Sequence, residues 1–299
     1  MDERPLRVTC YPWLSYSPLH LAHELDLFAD HGIAVDLRGH EQGWNDLIQA
    51  LPSRETDVIL GNMWFALRRQ GPRLVAVAAC AQRCRFVIVG RRDDVRESFS
   101  WDDLARKSMA IASSIPTPWF ALRQAMARSV LSLDDARVVS GYSTLEALED
   151  VRSGEVDLAL VDVDNAQHEG VVEVAALADY LPAIPWSVFC TLESTLAEQP
   201  ERILSFRAAI DDALAWLRTH AVEEWVDVLG PRFSQLDRTS MARALHRYLE
   251  LDIWPDGAGI DPDATRQWQS SLLRWGGVTE LCEISEIIPL DVVKQPATR

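Results

Sequence analysis

Lysine is nearly missing from this chain. Lys107 and Lys294 stand alone, and the other 27 of its 29 basic residues are arginines. Set against 45 acidic residues, they leave a formal net charge of −16. Nucleic acid and anionic membranes would repel such a chain at long range, so neither is an expected partner. None of the arginines gathers into a phosphate-binding patch. The five cysteines are an odd number, and no pair has zinc-ligand spacing. Cys80 and Cys84 sit near each other but lack a second pair. Free thiols in a reducing compartment are expected, with no metal and no cofactor. No apolar run approaches the roughly 20 residues needed to span a bilayer. The start, Met1-Asp2-Glu3-Arg4-Pro5, carries no basic n-region and no apolar h-region. The expected location is the cytoplasm, or the periplasm or cell exterior if the chain is a trimmed mature form. No P-loop, GxGxxG, HExxH or Ser-His-Asp spacing is present.

What the chain has instead is alternation. Hydrophobic residues make up 48% of 299, enough to bury one or two substantial cores. Leu6 to Cys10 predicts a first strand. Ser17-Pro18 opens a helix with Ser17 as N-cap, and Leu21, Leu25 and Phe28 form its apolar stripe. Gly32 ends that helix in the left-handed conformation glycine adopts cheaply. Further strands are predicted at 33–37, 57–60, 74–79 and 86–90. A second unit repeats the pattern, with strands at 108–112, 137–139, 157–161 and 171–174. Thr117-Pro118 opens one of its helices, and the capping box Ser143-Thr144-Leu145-Glu146 opens another. A strand at 186–190 returns to the first unit. From Pro200 onward the chain is helical, with Ile203, Phe206, Ile210, Leu214 and Leu217 on one face. The reading is an α/β protein of two lobes, each a mainly parallel sheet flanked by helices. Lobe one is expected at 1–85 and 187–299 and lobe two at 86–186, with a ligand cleft between them.

Several stretches, in this order, resemble one known family. Leu21-Ala22-His23-Glu24-Leu25-Asp26-Leu27-Phe28 followed by His31-Gly32-Ile33-Ala34-Val35 is similar to its first helix and strand. Asp57-Val58-Ile59-Leu60-Gly61 is similar to its "D-V-A-x-G" strand. Asp103-Leu104-Ala105-Arg106-Lys107-Ser108-Met109-Ala110-Ile111 resembles "D-L-K-G-K-x-I-A-V", and Ser153-Gly154-Glu155-Val156-Asp157 resembles "S-G-x-V-D". These are features of the type II periplasmic-binding-protein fold, as in the sulfonate, taurine, nitrate and thiamine-precursor (NMT1/THI5-like) binding proteins. The resemblance implies a small-molecule ligand, and an ABC permease as partner if the protein is exported. Cytosolic enzymes are built on the same scaffold. Trp13 stands where the desulfinases among them would have a nucleophilic cysteine, and the cysteine-rich run of the pyrimidine synthases is missing.

Open α/β sheets bind ligands beyond the carboxyl ends of their strands and at helix N-termini. That rule selects the loops holding Trp13, Ser15, Tyr16, Gln42, Trp44, Asn62, Trp64, Ser113, Ser114, Thr117, Trp119, Asp164 and Trp186. Five of the 11 tryptophans fall there, which points to stacking or cation–π contacts with an aromatic or cationic ligand. Plain core capping by the same rings is the alternative. Ser113 to Thr117 would supply hydroxyls and backbone N–H groups to an acid. Arg85 would meet an anion. Cys10 and Cys84 are the candidate nucleophiles, and His20 and Asp162 the candidate bases. The leading expectation is a cytosolic enzyme with lyase or hydrolase chemistry on a small aromatic, carboxylate or sulfinate compound. The alternative is a solute-binding protein of an ABC importer for a small aromatic, sulfonate or amine ligand.

Overall fold

The computed structural model describes residues 4–94, 99–111, 116–127, 137–141 and 143–289. They form two compact units. The first comprises Met1–Gln82, Ile184–Arg238 and Asp252–Arg299; the second comprises Arg83–Ala183 and Thr239–Leu251. The segment 239–251, expected in lobe one, thus belongs to the second unit.

The first unit is built on a five-stranded sheet in the order β2-β1-β3-β10-β4. Its strands are β1 (Leu6–Cys10), β2 (Val35–Gly39), β3 (Val58–Asn62), β4 (Leu74–Ala81) and β10 (Ser187–Leu192). β1 pairs parallel with β2 and β3, while β10 runs antiparallel to both β3 and β4. Every residue of β3 and β4 is buried. Such continuous apolar strands are what a sheet covered on both faces requires. On one face lies the 20-residue helix α8 (Pro200–Thr219), whose Phe206 stacks on Phe28 at 5.3 Å and meets Phe189 of β10 edge-on at 5.0 Å.

The second unit repeats this order as β7-β6-β8-β5-β9. Its strands are β5 (Phe86–Arg91), β6 (Ser108–Ile111), β7 (Arg137–Ser140), β8 (Leu158–Asp162) and β9 (Val171–Ala176). Here β6, β7 and β8 are parallel, and β5 is antiparallel to β8 and β9. The helices α5 (Thr117–Met126) and α6 (Thr144–Ser153) bury Phe120, Leu122, Leu148 and Val151. Both sheets are therefore mixed rather than mainly parallel. In each, the strand that crosses over from the other unit, β10 or β5, enters against the direction of the rest.

Local details follow the sequence unevenly. The Ser143–Glu146 capping box forms as expected, and Gly154 closes α6 at φ 86°. The helix expected from Ser17 to Gly32 is broken into α1 (Ser17–Glu24) and α2 (Leu27–Asp30) by Asp26, a left-handed residue at φ 57°. Ser17 is the first helical residue rather than the N-cap, and its hydroxyl donates to the Leu14 carbonyl at 2.6 Å. Thr117 likewise sits one place inside α5, after Pro116.

Candidate functional site

Two short helices follow the strand ends of the first unit: α3 (Trp44–Gln49) after β2 and α4 (Trp64–Leu67) after β3. Gly61, near the end of β3, makes room for the Phe65 ring, which a Cβ at that position would strike. The result is an edge lined with rings. Tyr11 stacks on Trp13 at 4.4 Å with 12° between planes, meets His40 edge-on at 5.1 Å, and donates its hydroxyl to the Gln42 carbonyl at 3.1 Å. Burial, then the nearby Asp46 charge, push the Tyr11 phenol up to about 12, so it stays a donor. Trp13 also leans on Tyr16 at 5.2 Å. A second group holds Trp44 and Trp64 edge-on at 5.0 Å, with Phe65 beside both. The Arg68 guanidinium lies 4.8 Å from the Trp44 ring centre and 5.5 Å from that of Trp64. Trp13, His40, Trp44 and Arg68 are partly exposed and Gln42 is exposed, so these are the groups of the set that a solute can reach.

The corresponding edge of the second unit is ionic. Arg85, just ahead of β5, donates its Nε to Asp162 at the end of β8 at 2.5 Å, and its side chain is only 3% exposed. Asp164 follows, accepting from the Asn165 backbone N–H at 3.2 Å. Burial, and then the Asp162 charge, push the Asp164 carboxyl up to about 7. Burial raises Asp162 as well, against the pull of Arg85. Helix α10 (Arg238–Glu250) brings the fully buried Tyr248 against this group, where burial and the two carboxylates hold its phenol protonated. Just before Tyr248, the Arg247 guanidinium clasps Glu173 of β9 at 2.5 Å.

Several expected site residues are buried or lie elsewhere. Trp186 is core: it is 2% exposed and packs on Trp268 at 6.0 Å. Trp64 is 7% exposed, and its Nε1 donates to the Gly277 carbonyl at 2.6 Å. Ser15 and Tyr16 are buried, and the Ser15 carbonyl accepts from Trp254 Nε1 at 2.9 Å. Asn62 is buried, and its side-chain oxygen accepts from the Trp64 backbone N–H at 2.9 Å rather than facing solvent. Thr117 is buried at 1% exposure. Trp119 is partly exposed, under the Arg123 guanidinium at 5.1 Å. Ser113 and Ser114 lie outside the described residues.

The candidate nucleophiles and the histidine base are corrected as well. Cys10 is 2% exposed, and burial pushes its thiol up to about 12 despite the Arg232 charge. Cys84 is fully buried and its thiol is raised further still, again by burial. Neither carries thiolate at neutral pH. His20 is 2% exposed, edge-on to Phe233 at 5.1 Å, with both ring nitrogens buried and without a hydrogen-bond partner. Burial first, then Arg232 and His23, drive it down to about 3, so it is a neutral core residue. Arg85 is already paired with Asp162 and is not an unspent anion receptor. Among the described residues no group of three or more His, Cys, Asp or Glu side chains could hold a metal ion, and no helix is long and apolar enough to cross a membrane. Residue reading missed Tyr11, His40, Arg68 and Tyr248. Tyr11 was within reach, since it stands two places before Trp13; nothing in the sequence marked the other three.

Comparison with known proteins gives the class. The chain belongs to the NMT1/THI5-like family, whose model matches residues 13–224. Its fold is that of the two-lobed periplasmic binding proteins. The aliphatic sulphonate binding protein SsuA of Escherichia coli is similar over 98% of this chain and all of its own, at TM-score 0.77 and 15% identity. The nitrate-binding protein NrtA of Synechocystis PCC 6803 is similar over 97% of this chain and 87% of its own, at TM-score 0.78 and 12% identity. Among curated sequences, the Bacillus subtilis protein YtlA, described as a binding protein, is 21% identical over 247 residues, covering 78% of this chain and 72% of YtlA.

Proposed function

We propose that this protein is the solute-binding component of an ABC importer and takes a small ring-bearing solute. It would work outside the cytoplasmic membrane and hand its ligand to a permease. The observation that carries this reading is the ring-lined strand edge of the first unit. There Trp13, stacked on Tyr11 at 4.4 Å, stays partly exposed beyond β1, where sheets of this class hold ligands. Such a pair offers a flat apolar platform that stacks on a ring without needing a charge. Membership of the NMT1/THI5-like family and a fold shared with solute-binding proteins support the same reading. The leading expectation of lyase or hydrolase chemistry gains no support from its candidate thiols and histidine, because Cys10 and Cys84 are buried and protonated and His20 is buried and neutral.

The test is a thermal-shift and tryptophan-fluorescence screen against aromatic acids, sulfonates and amines, followed by mass spectrometry of each hit. A true ligand at 100 times its Kd adds about 2.7 kcal/mol of stability. It should be recovered chemically unchanged, and Trp13→Ala should weaken it at least tenfold with little change in melting temperature. Recovery of a converted product would sink the binding-protein reading in favour of an enzyme.

A further inference from the structure

We infer that Arg68, together with the Trp44 and Trp64 rings it lies on, is a subsite for an oxyanion, a carboxylate or sulfonate, carried by the solute. This deepens the solute-binding reading and rests on it. Arg68 caps the C-terminal end of α4. Its guanidinium is held in the corner of two indoles, 4.8 Å from one ring centre and 5.5 Å from the other. Stacking satisfies the faces of a guanidinium but not its edge, where the N–H donors lie. One of those donors, Nε, is buried with no hydrogen-bond partner.

No carboxylate pairs with Arg68 among the described residues. Its neighbours differ: Arg69 pairs with Glu286, and Arg73 with Glu193 at 3.7 Å. In a chain with 45 acidic residues against 29 basic ones, an arginine fixed on two rings and left without an acid is out of keeping with its surroundings. The acid in α3, Asp46, bears on the Tyr11 phenol instead. Burial alone acts on Arg68, lowering its pKa with no opposing carboxylate to restore it. A buried, unsatisfied donor beside a charge is a standing cost that an arriving anion removes. The guanidinium edge presents two parallel N–H groups, which match two oxygens of a carboxylate or sulfonate. Trp44, partly exposed, would flank the body that carries the anion.

The experiment is isothermal titration with three probes of one shape: benzoate, benzenesulfonate and the neutral benzamide. The proteins are the full chain, Arg68→Gln, Arg68→Lys and Trp13→Ala, each first checked by melting temperature. The unaltered chain should bind at least one anion tenfold or more tighter than benzamide. Arg68→Gln should erase that preference, a change of about 1.4 kcal/mol per factor of ten. Arg68→Lys should restore it only in part, since an ammonium lacks the fork. Benzamide binding as tightly as both anions, neither anion binding at millimolar concentration, or equal anion affinity in Arg68→Gln would each overturn the subsite. Trp13→Ala tells this failure from the failure of the solute-binding reading. Loss of all three probes in Trp13→Ala with no effect of Arg68→Gln keeps the reading and removes the subsite. An intact Arg68 effect with no Trp13 effect keeps the anion subsite and removes the ring platform.

Discussion

β3 and β8 hold the same central place in their five-stranded sheets, and each is preceded by an aspartate. Asp57 accepts the Arg7 backbone N–H at 2.9 Å, and Asp157 accepts that of Ser108 at 2.7 Å, so both acids pin the start of the neighbouring strand. At the opposite ends the two strands part. β3 runs into Asn62 and the rings of Trp64 and Trp44, while β8 runs into Asp162, Asp164 and the Arg85 that must serve them both. Asp57 has two arginines for one carboxylate; in the second unit two carboxylates share one arginine. Although burial opposes it, hydrogen bonds from Arg7 and Arg4 hold the Asp57 carboxyl down at about 2, whereas Asp164 is pushed up to about 7. One topology thus supports an apolar platform in one unit and an under-neutralised ionic cluster in the other. Burial, together with the ratio of arginine to carboxylate, decides which acids stay ionised.

The largest effect should come from removing the shared arginine. Arg85→Met leaves Asp162 and Asp164 without a counter-charge, and losing one partner of a buried pair costs about 3–5 kcal/mol. The loss should be large in urea titrations at pH 8 and small at pH 4, where both acids take up protons in the variant. Equal loss at both pH values would mean that packing, not charge, sets the second unit apart.

His20 provides the first unit's own acid weakness. Its pKa falls from an ordinary value near 6.5 to about 3, so the folded chain refuses a proton that the unfolded chain accepts. Stability is intact above about pH 6.5 and declines as the pH drops towards 3, by about 3 kcal/mol at pH 4. His20→Leu should flatten that limb of the stability curve and leave the value at pH 8 within about 1 kcal/mol of its starting point. A limb that keeps its slope in the variant would move the acid sensitivity to other groups.

The smallest effects come from the two acids compared directly, and they have opposite signs. The Asp57 carboxyl lies below its unfolded value, so its stabilisation is present above about pH 4 and disappears as the pH falls through 2. Asp57→Asn should cost about 1–2 kcal/mol at pH 7, allowing for solvent around the half-exposed Arg4, and nothing near pH 2. The Asp164 carboxyl lies above its unfolded value, so ionising it penalises the fold increasingly from about pH 4 to pH 7. Asp164→Asn should therefore raise stability at pH 8, by on the order of 2 kcal/mol, and change little at pH 4. Measured stability curves that move in the same direction for both variants would end the contrast drawn between the units.

Much of the fold was legible in the residues. Alternating apolar strands and capped helices such as Ser143–Glu146 predicted two α/β units, because strand period and cap chemistry are local properties. The mixed character of the sheets was not legible. Whether β10 and β5 run with or against their neighbours depends on which side the chain arrives from, and that is set by the crossover between units. The placement of α10 was hidden for the same reason. Its residues follow the first unit in sequence, but Tyr248 and Arg247 pack against Asp164 and Glu173 of the second.

The site divides along the same line. That rings gather after the strands at Trp13, Trp44 and Trp64 could be read from position alone, since strand ends are where such sheets leave room for a ligand. Which rings a solute can reach could not. Trp186 and Trp13 both lie at the strand edge of the first unit, yet one is packed on Trp268 and the other is partly exposed on Tyr11. Residue type and order determined the fold class, the five free thiols and the aromatic edge, because those follow from composition and periodicity. Only the tertiary structure decided that Cys10, Cys84 and His20 are inert, that Arg85 is already paired and that Arg68 has no acid beside it among the described residues. Burial and charge compensation depend on neighbours distant in the chain, and no local pattern encodes them.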